Sequence, residues 1–406
     1  MRRYLLMAVF SAVLVAWIPF ETAADEKKDE QKIRFGGDLR GRFEGFWFGE
    51  DETGSHKKDR LRIRYRLRLD AKATINDHAA LALRVGSGES DNRSGNQSLG
   101  RPEDFGPNAF VIRRAYLVLM PFAKGEIPNQ DGKWTIEFGR VPIPFVWKNG
   151  KDIMILDHDL NPSGVSTKFN MSVDDVASVF ANVGYFVIRE ESSVRDPYFG
   201  GVQGGVEGKF SDEAKAGVRG SWFHLENLDA DFIERGASGE GSVTGSGGNI
   251  SDGLTGSVDG GSLSVLETQA FVKVGLAEGL PVTAFGGYSG NLDAEPSDTF
   301  TVGKENMAYN FGVEVGDKKK TIKFGVAWYH VEANAFPSQF IDSDLLDGHT
   351  NRKGVMVYGD RQVFKGTDFG FKLFASDAIK DDLPGFEDSV ENSERTRLQV
   401  DLVYKF

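Results

Sequence analysis

The 406-residue sequence contains no cysteine. That absence excludes a disulfide scaffold, thiolate zinc sites, iron–sulfur clusters and c-type haem attachment. Histidine is scarce, and His56, His78, His158, His224, His330 and His349 are scattered without ligand spacing. Neither a G-x-S-x-G elbow nor an H-E-x-x-H helix is present, so a barrel-embedded hydrolase lacks a nucleophile–base constellation. Positive charge is in deficit, with 48 Lys plus Arg against 60 Asp plus Glu and a formal net charge of −12. A nucleic-acid partner needs a basic face, and the balance argues against one. Long apolar runs are missing beyond the first twenty or so residues, so no helical membrane span is expected downstream.

What the N-terminus does contain sets the compartment. Met1-Arg2-Arg3 is a short basic start, and Tyr4 to Phe20 is apolar. Small residues follow at Thr22, Ala23 and Ala24, before the charged stretch Asp25-Glu26-Lys27-Lys28-Asp29-Glu30. This is the layout of a secretory signal peptide over residues 1–24, with cleavage after Ala24. Residues 25–406 then form one exported domain. An uncleaved anchor helix is the alternative, but the apolar core is short for a span.

Alternation dominates the rest. Leu61, Ile63, Tyr65, Leu67, Leu69, Ala71 and Ala73 alternate with Arg60, Arg62, Arg64, Arg66, Arg68, Asp70 and Lys72. A period of two means a strand with two different faces, whereas a helix would scatter these arginines around its circumference. The preceding segment behaves likewise, with Phe35, Leu39, Phe43 and Trp47 on one parity and Arg34, Asp38, Arg40, Arg42 and Glu44 on the other. About sixteen such strands are predicted to the end of the chain. Short links such as Thr74–Asp77, Ser211–Asp212 and Lys365–Gly366 interleave with long ones such as Gly88–Asn108, Asn227–Leu263 and Ala333–Arg352. Only Pro121–Gly132 is long where a short link is expected. An even strand count with short turns on one side and long loops on the other predicts an all-β fold. It is a single antiparallel transmembrane barrel with periplasmic turns and extracellular loops.

Energetics decide which face meets lipid. An arginine facing lipid near the midplane costs roughly 2–4 kcal/mol. Five on one strand face would cost on the order of 10 kcal/mol or more, so the arginines must point inward to water. A pair of soluble β-sandwich domains is the alternative. Against it stand the loop alternation and the final strand, where Leu398, Val400, Leu402, Tyr404 and Phe406 share one face. Tyr404 and Phe406 are predicted to act as an assembly signal on the lipid face. Aromatic residues near strand ends, including Trp47, Phe48, Trp222, Trp328 and Tyr329, suit interfacial girdles.

A barrel of this size encloses a water channel unless something fills it. The link Pro142–Pro162 is too apolar for an exposed loop, with Ile153, Met154, Ile155 and Leu156 in a row. Folded into the barrel, it would present Asp152, Asp157 and Asp159 to the arginine wall and set a transverse field at a constriction. Arg60, Arg62, Arg64, Arg66 and Arg68, with Arg40 and Arg42, are the predicted pore lining. Packing over the rim or against a neighbouring subunit is the alternative for this loop. The Gly-, Ser- and Asp-rich link Asn227–Leu263 reads as a solvated outer loop; calcium binding through Asp252 or Asp259 would need a repeat register that is missing.

Several stretches carry a resemblance. They are Phe35-Gly36-Gly37-Asp38-Leu39-Arg40, the arginine-rich second strand, Ser94-Gly95-Asn96-Gln97-Ser98-Leu99-Gly100, Arg114-Ala115-Tyr116-Leu117 and Phe138-Gly139-Arg140. The most specific is Asp157-His158-Asp159-Leu160-Asn161-Pro162-Ser163-Gly164-Val165. In these the sequence resembles the family called putative outer-membrane porins of Gram-negative bacteria. The resemblance implies passive diffusion of small hydrophilic solutes and ions, no cofactor and no enzymatic activity. It also implies outer-membrane lipid, lipopolysaccharide and the barrel-assembly machinery as partners, and a homotrimer. An anion- or phosphate-selective channel and a barrel-anchored surface interaction protein are the other functional readings.

Overall fold

The structure is a computed structural model that describes residues 32–49, 58–88, 93–100, 106–122, 133–147, 156–173, 176–192, 195–228, 249–250, 261–277, 280–297, 302–380 and 394–406. The predicted signal peptide and Asp152 lie outside these residues.

The alternating segments form strands β1 (Lys32–Phe48), β2 (Arg60–Asn76), β3 (Ala79–Ser87), β4 (Gln97–Ser98), β5 (Phe110–Leu119) and β6 (Lys133–Arg140). They continue as β7 (Ser163–Val173), β8 (Ala177–Val187), β9 (Tyr198–Lys209), β10 (Ala214–Leu228), β11 (Gly261–Ala277) and β12 (Leu280–Asn291). The remaining strands are β13 (Met307–Val315), β14 (Lys323–Val331), β15 (Arg352–Phe364), β16 (Thr367–Ala378) and β17 (Arg395–Lys405). Each pairs antiparallel with its neighbours, and β17 returns to β1, so sixteen strands close the barrel. All sixteen predicted strands are present. β4 is an addition: β3 stops short, and Gln97–Ser98 pairs with Tyr65 and Arg64 in line with it.

The two strand faces separate as their chemistry demands. Leu61 and Ile63 are 63% and 55% exposed on the outside, whereas Arg66 and Arg42 are 6% and 2% exposed within. A lipid belt therefore surrounds a charged interior. Tyr404 and Phe406 lie outside, their rings 6.0 Å apart. The Phe406 backbone exchanges hydrogen bonds with Gly37, extending the β1–β17 seam. The girdle reading needs correction at two positions. Phe48 lies opposite Arg395 on the inner parity and sits under its guanidinium. Tyr329 is buried inside against the main apolar cluster. Strand parity overrides their position near strand ends.

The interior itself has two sides. Strands β17, β1, β2, β3 and β5 turn arginines inward. Strands β8 to β14 turn Phe186, Phe199, Phe223, Phe271, Phe285 and Tyr329 inward as one apolar wall. Two long links, one described at 141–147 and 156–162 and the other at 332–351, pack inside the barrel and cover that wall. Part of a third joins them. Asn249 and Ile250, from the link read as a solvated outer loop, are buried. The Asn249 amide donates to the carbonyls of Ala333 and Phe336 and accepts from the Ser338 amide. For these two residues the solvated reading does not hold, because their polar groups find better partners inside.

Candidate functional site

The arginine row is held in place by the register between β1 and β2. Asp38 lies opposite Arg68, Arg40 opposite Arg66, Arg42 opposite Arg64 and Glu44 opposite Arg62. Cross-strand and diagonal neighbours on one face are within side-chain reach. Asp38 accordingly pairs with Arg68 Nε at 2.6 Å and Arg66 Nη2 at 3.0 Å. Glu44 accepts from Arg62 and lies 3.5 Å from Arg64 Nη1. Arg42 turns to β17 and meets Asp401 at 2.6 Å. Arg40 donates instead to the side-chain oxygen of Asn96 at 2.6 Å. Arg60 is exposed at the start of β2, apart from this network.

The 141–147 arm packs inside the barrel on aromatic contacts. Phe145 packs edge-on against Phe199 and Phe223 at 6.0 and 5.1 Å. Trp147 lies 5.2 Å from Phe271 and donates its indole N–H to Glu207 at 2.6 Å. Burying each of Ile143, Phe145, Trp147 and Leu160 contributes on the order of 2 kcal/mol. The returning arm then places its acids. Asp159 reaches Arg68 Nη1 at 3.1 Å and Arg66 Nη1 at 3.3 Å. Asp157 takes another direction, accepting the amides of Ser343 and Asp159 at 2.9 and 2.7 Å.

The 332–351 link supplies the acids that sequence reasoning missed. Asp344 lies 2.7 Å from Arg42 and 3.4 Å from Arg397, and Asp347 lies 3.0 Å from Arg397. Arg93 fastens the same segment through its Nη1, which donates to the carbonyls of Ser338, Ile341 and Gly348 at 2.7, 2.9 and 3.1 Å. Burial would raise the Asp344 carboxyl, but Arg42, Lys372 and Arg397 outweigh it and hold the group well below the ordinary range. Burial pushes Asp157 up, and the nearby Asp342 carboxylate pushes it further. Burial likewise raises Asp342, with Asp344 adding to the effect.

A β-bulge extends the basic wall. The β3–β5 register runs from Arg84 opposite Arg114 to Val85 opposite Ile112, leaving Arg113 as the extra residue. A bulge re-aims side chains locally, and here two successive arginines serve the interior. Arg113 donates to the carbonyls of Ser87 and Ser94. Arg114 donates through Nε to the Asn161 side-chain oxygen at 2.5 Å and forms no ion pair among the described residues.

A closed sixteen-stranded antiparallel barrel with an apolar exterior and a charged interior is a transmembrane β-barrel with the fold that porins share. Within that class, residues 53–246 match the family model described as "Putative porin", the family whose motifs the sequence resembles. Solved structures share the architecture at low identity. OprB of Pseudomonas putida matches with 12% identity and a TM-score of 0.55, over 92% of this chain and 94% of that one. OmpF of Salmonella typhi matches with 12% identity and a TM-score of 0.50, over 93% and 98% of the two chains. No curated protein matches the chain in sequence. Family and fold together support a general outer-membrane channel and point away from an enzyme.

Proposed function

We propose that the barrel passes small hydrophilic solutes and ions by passive diffusion through a lumen narrowed between the 142–162 loop and the arginine wall. The observation that carries this reading is Asp159, which spans from the inserted loop to Arg66 and Arg68. These arginines stand at the seventh and ninth positions of the seventeen-residue strand β2, near its middle. A solute crossing there would meet fixed charges of both signs. Arg40, Arg42, Arg62 and Arg64 line the same wall, with Arg60 at its mouth. Export by a signal peptide cleaved after Ala24 belongs to this reading. So do assembly by the barrel machinery through Tyr404 and Phe406, contact with lipopolysaccharide, and a homotrimer. Reconstitution of the full-length protein into a planar bilayer tests it: discrete ohmic current steps are expected, and a folded barrel that carries no current would overturn it.

Anion preference is the second reading, favoured by Arg114. Among the described residues no carboxylate pairs with it, while Arg66 and Arg68 each pair with Asp38 and Asp159 and Arg84 pairs with Asp70.

A further inference from the structure

A cavity of about 240 Å³ lies between the two inserted links and the barrel wall. Ile143 and Leu160 of the first link, Phe340 of the second, and Phe186 and Phe199 of the wall give it an apolar lining. Its polar lining is equally definite. Arg140 lines it, as does Asn161, whose side-chain oxygen is held by Arg114. Asn161 also lines the small cleft among Arg66, Arg68, Arg84, Arg113 and Arg114. The cavity thus has an apolar body and borders the most cationic part of the lumen.

Arg140 is arranged to receive a ligand. Its Nε donates to the Arg113 carbonyl at 3.0 Å, which fixes the guanidinium plane. Its two terminal nitrogens have no partner among the described residues, and the side chain is exposed. A planar guanidinium with both terminal NH2 groups free is suited to a carboxylate, which it can hold by paired hydrogen bonds. Size narrows the choice. An apolar cavity of about 150 Å³ accommodates benzene, so this one holds one ring with a short side chain. Inorganic phosphate or acetate would leave the aromatic lining unused.

We propose that this cavity is a binding site for a small organic acid with an apolar or aromatic body, whose carboxylate meets Arg140 while the body lies among Ile143, Leu160, Phe186, Phe199 and Phe340. The site rests on the channel reading in one respect, since the lumen is the ligand's route in. It deepens that reading by naming a solute class. The arrangement accounts for an apolar patch between two loops in an otherwise charged passage, because a ring and a carboxylate need neighbouring apolar and cationic surfaces.

Isothermal titration of the detergent-solubilised full-length barrel with 3-phenylpropanoate tests the proposal directly. Saturable binding is expected, at least about tenfold tighter than for acetate because the ring leaves water, and tighter than for neutral 3-phenylpropanol. R140Q should weaken it about tenfold, the loss of one charge-assisted contact, and R140K should recover part of that. F340A should weaken phenylpropanoate and leave acetate unchanged. Heat-modifiable gel mobility confirms that each variant is folded. Equal affinity for acetate, inorganic phosphate and phenylpropanoate would overturn the proposal, as would equal affinity for the alcohol. Binding retained in a barrel that conducts nothing would support this site and sink the channel reading alone.

Discussion

Asp157 accepts the backbone amide of Ser343 at 2.9 Å, and its own amide donates to the Phe340 carbonyl at 2.8 Å. One residue therefore ties the first inserted link to the second. Each link has its own anchor as well: aromatic packing for 141–147, and Arg93, Arg42 and Arg397 for 332–351. The two behave as one body resting on the apolar wall, with carboxylates turned to the basic wall.

Arg93 should be the main fastener of the second link. Hydrogen bonds from a charged donor contribute roughly 1.5–3 kcal/mol each, and R93A removes three carbonyl partners at once. Amide exchange at Ile341, Leu345 and Gly348 is expected to speed up by at least about tenfold, with strand amides of β14 and β15 unaffected. Unchanged exchange at those three amides would show that Asn249 and Asp344 suffice.

Acidic groups on the links should make their packing pH-dependent in two opposite ways. The folded-state value of Asp157 lies above its ordinary 3.8. The folded state thus holds that proton more tightly, and its stabilising contribution is complete in acid and lost as pH rises through the raised value. Asp344 behaves in reverse: its contribution is present above 3.8 and is lost only as pH falls through its depressed value. Packing should be tightest in mild acid. Current noise is expected to grow as pH rises from 3.8 through the raised value of Asp157, and D157N should flatten that rise. A D157N profile identical to wild type would remove Asp157 from the account.

Charge selectivity should follow the wall. Replacing Arg62, Arg64 and Arg66 with Gln is expected to shift the reversal potential in a salt gradient toward cations, more strongly at low ionic strength, where screening is weaker. Asp344→Asn should shift it toward anions, because it removes one of the carboxylates that face Arg42 and Arg397. The aspartate change also removes the contacts that tie the second link to Arg42 and Arg397. Amide exchange in 332–351 should accompany the shift. An unaltered reversal potential in a folded Arg triple variant would place that row outside the conducting path.

Tyr404 and Phe406 should matter for assembly more than for the finished barrel. Their rings lie outside, and removing either opens no internal cavity. The pair Y404A/F406A is expected to reduce folded protein in the outer membrane severalfold, read by heat-modifiable mobility. Protein that does fold should conduct normally. Normal yields would show that other strands carry the signal.

The sixteen strands were legible because a membrane barrel writes its two environments into a period of two. Arg62 and Leu61 cannot exchange faces. The burial of Ile143, Phe145 and Leu156 was legible for a related reason, since these side chains have no stable place in water. The 332–351 link hid itself. Its buried Phe336, Ile341, Leu345 and Leu346 are spaced among Asp and Ser, with no apolar run. Asp38 and Glu44 were available as partners, since they share inner parity with Arg40 and Arg42. Assigning Asp157 and Asp159 alike to the arginines overlooked that adjacent residues in a returning loop turn in different directions. The bulge at Arg113 had no signature short of the register itself.

The seam between β1 and β17 has a consequence for how the barrel comes to exist. Arg42 and Asp401, joined across it, are 359 positions apart. Bringing such distant segments together costs about 5 kcal/mol in chain entropy, and nothing repays that cost until the two strands zip along their length. Before then, β1 and β17 each present an unpaired edge that would bond to any extended chain nearby. The dangerous moment for this protein is therefore brief and falls at the end of folding. A barrel that has passed it should persist, because reopening requires the whole ladder at the seam to be lost together.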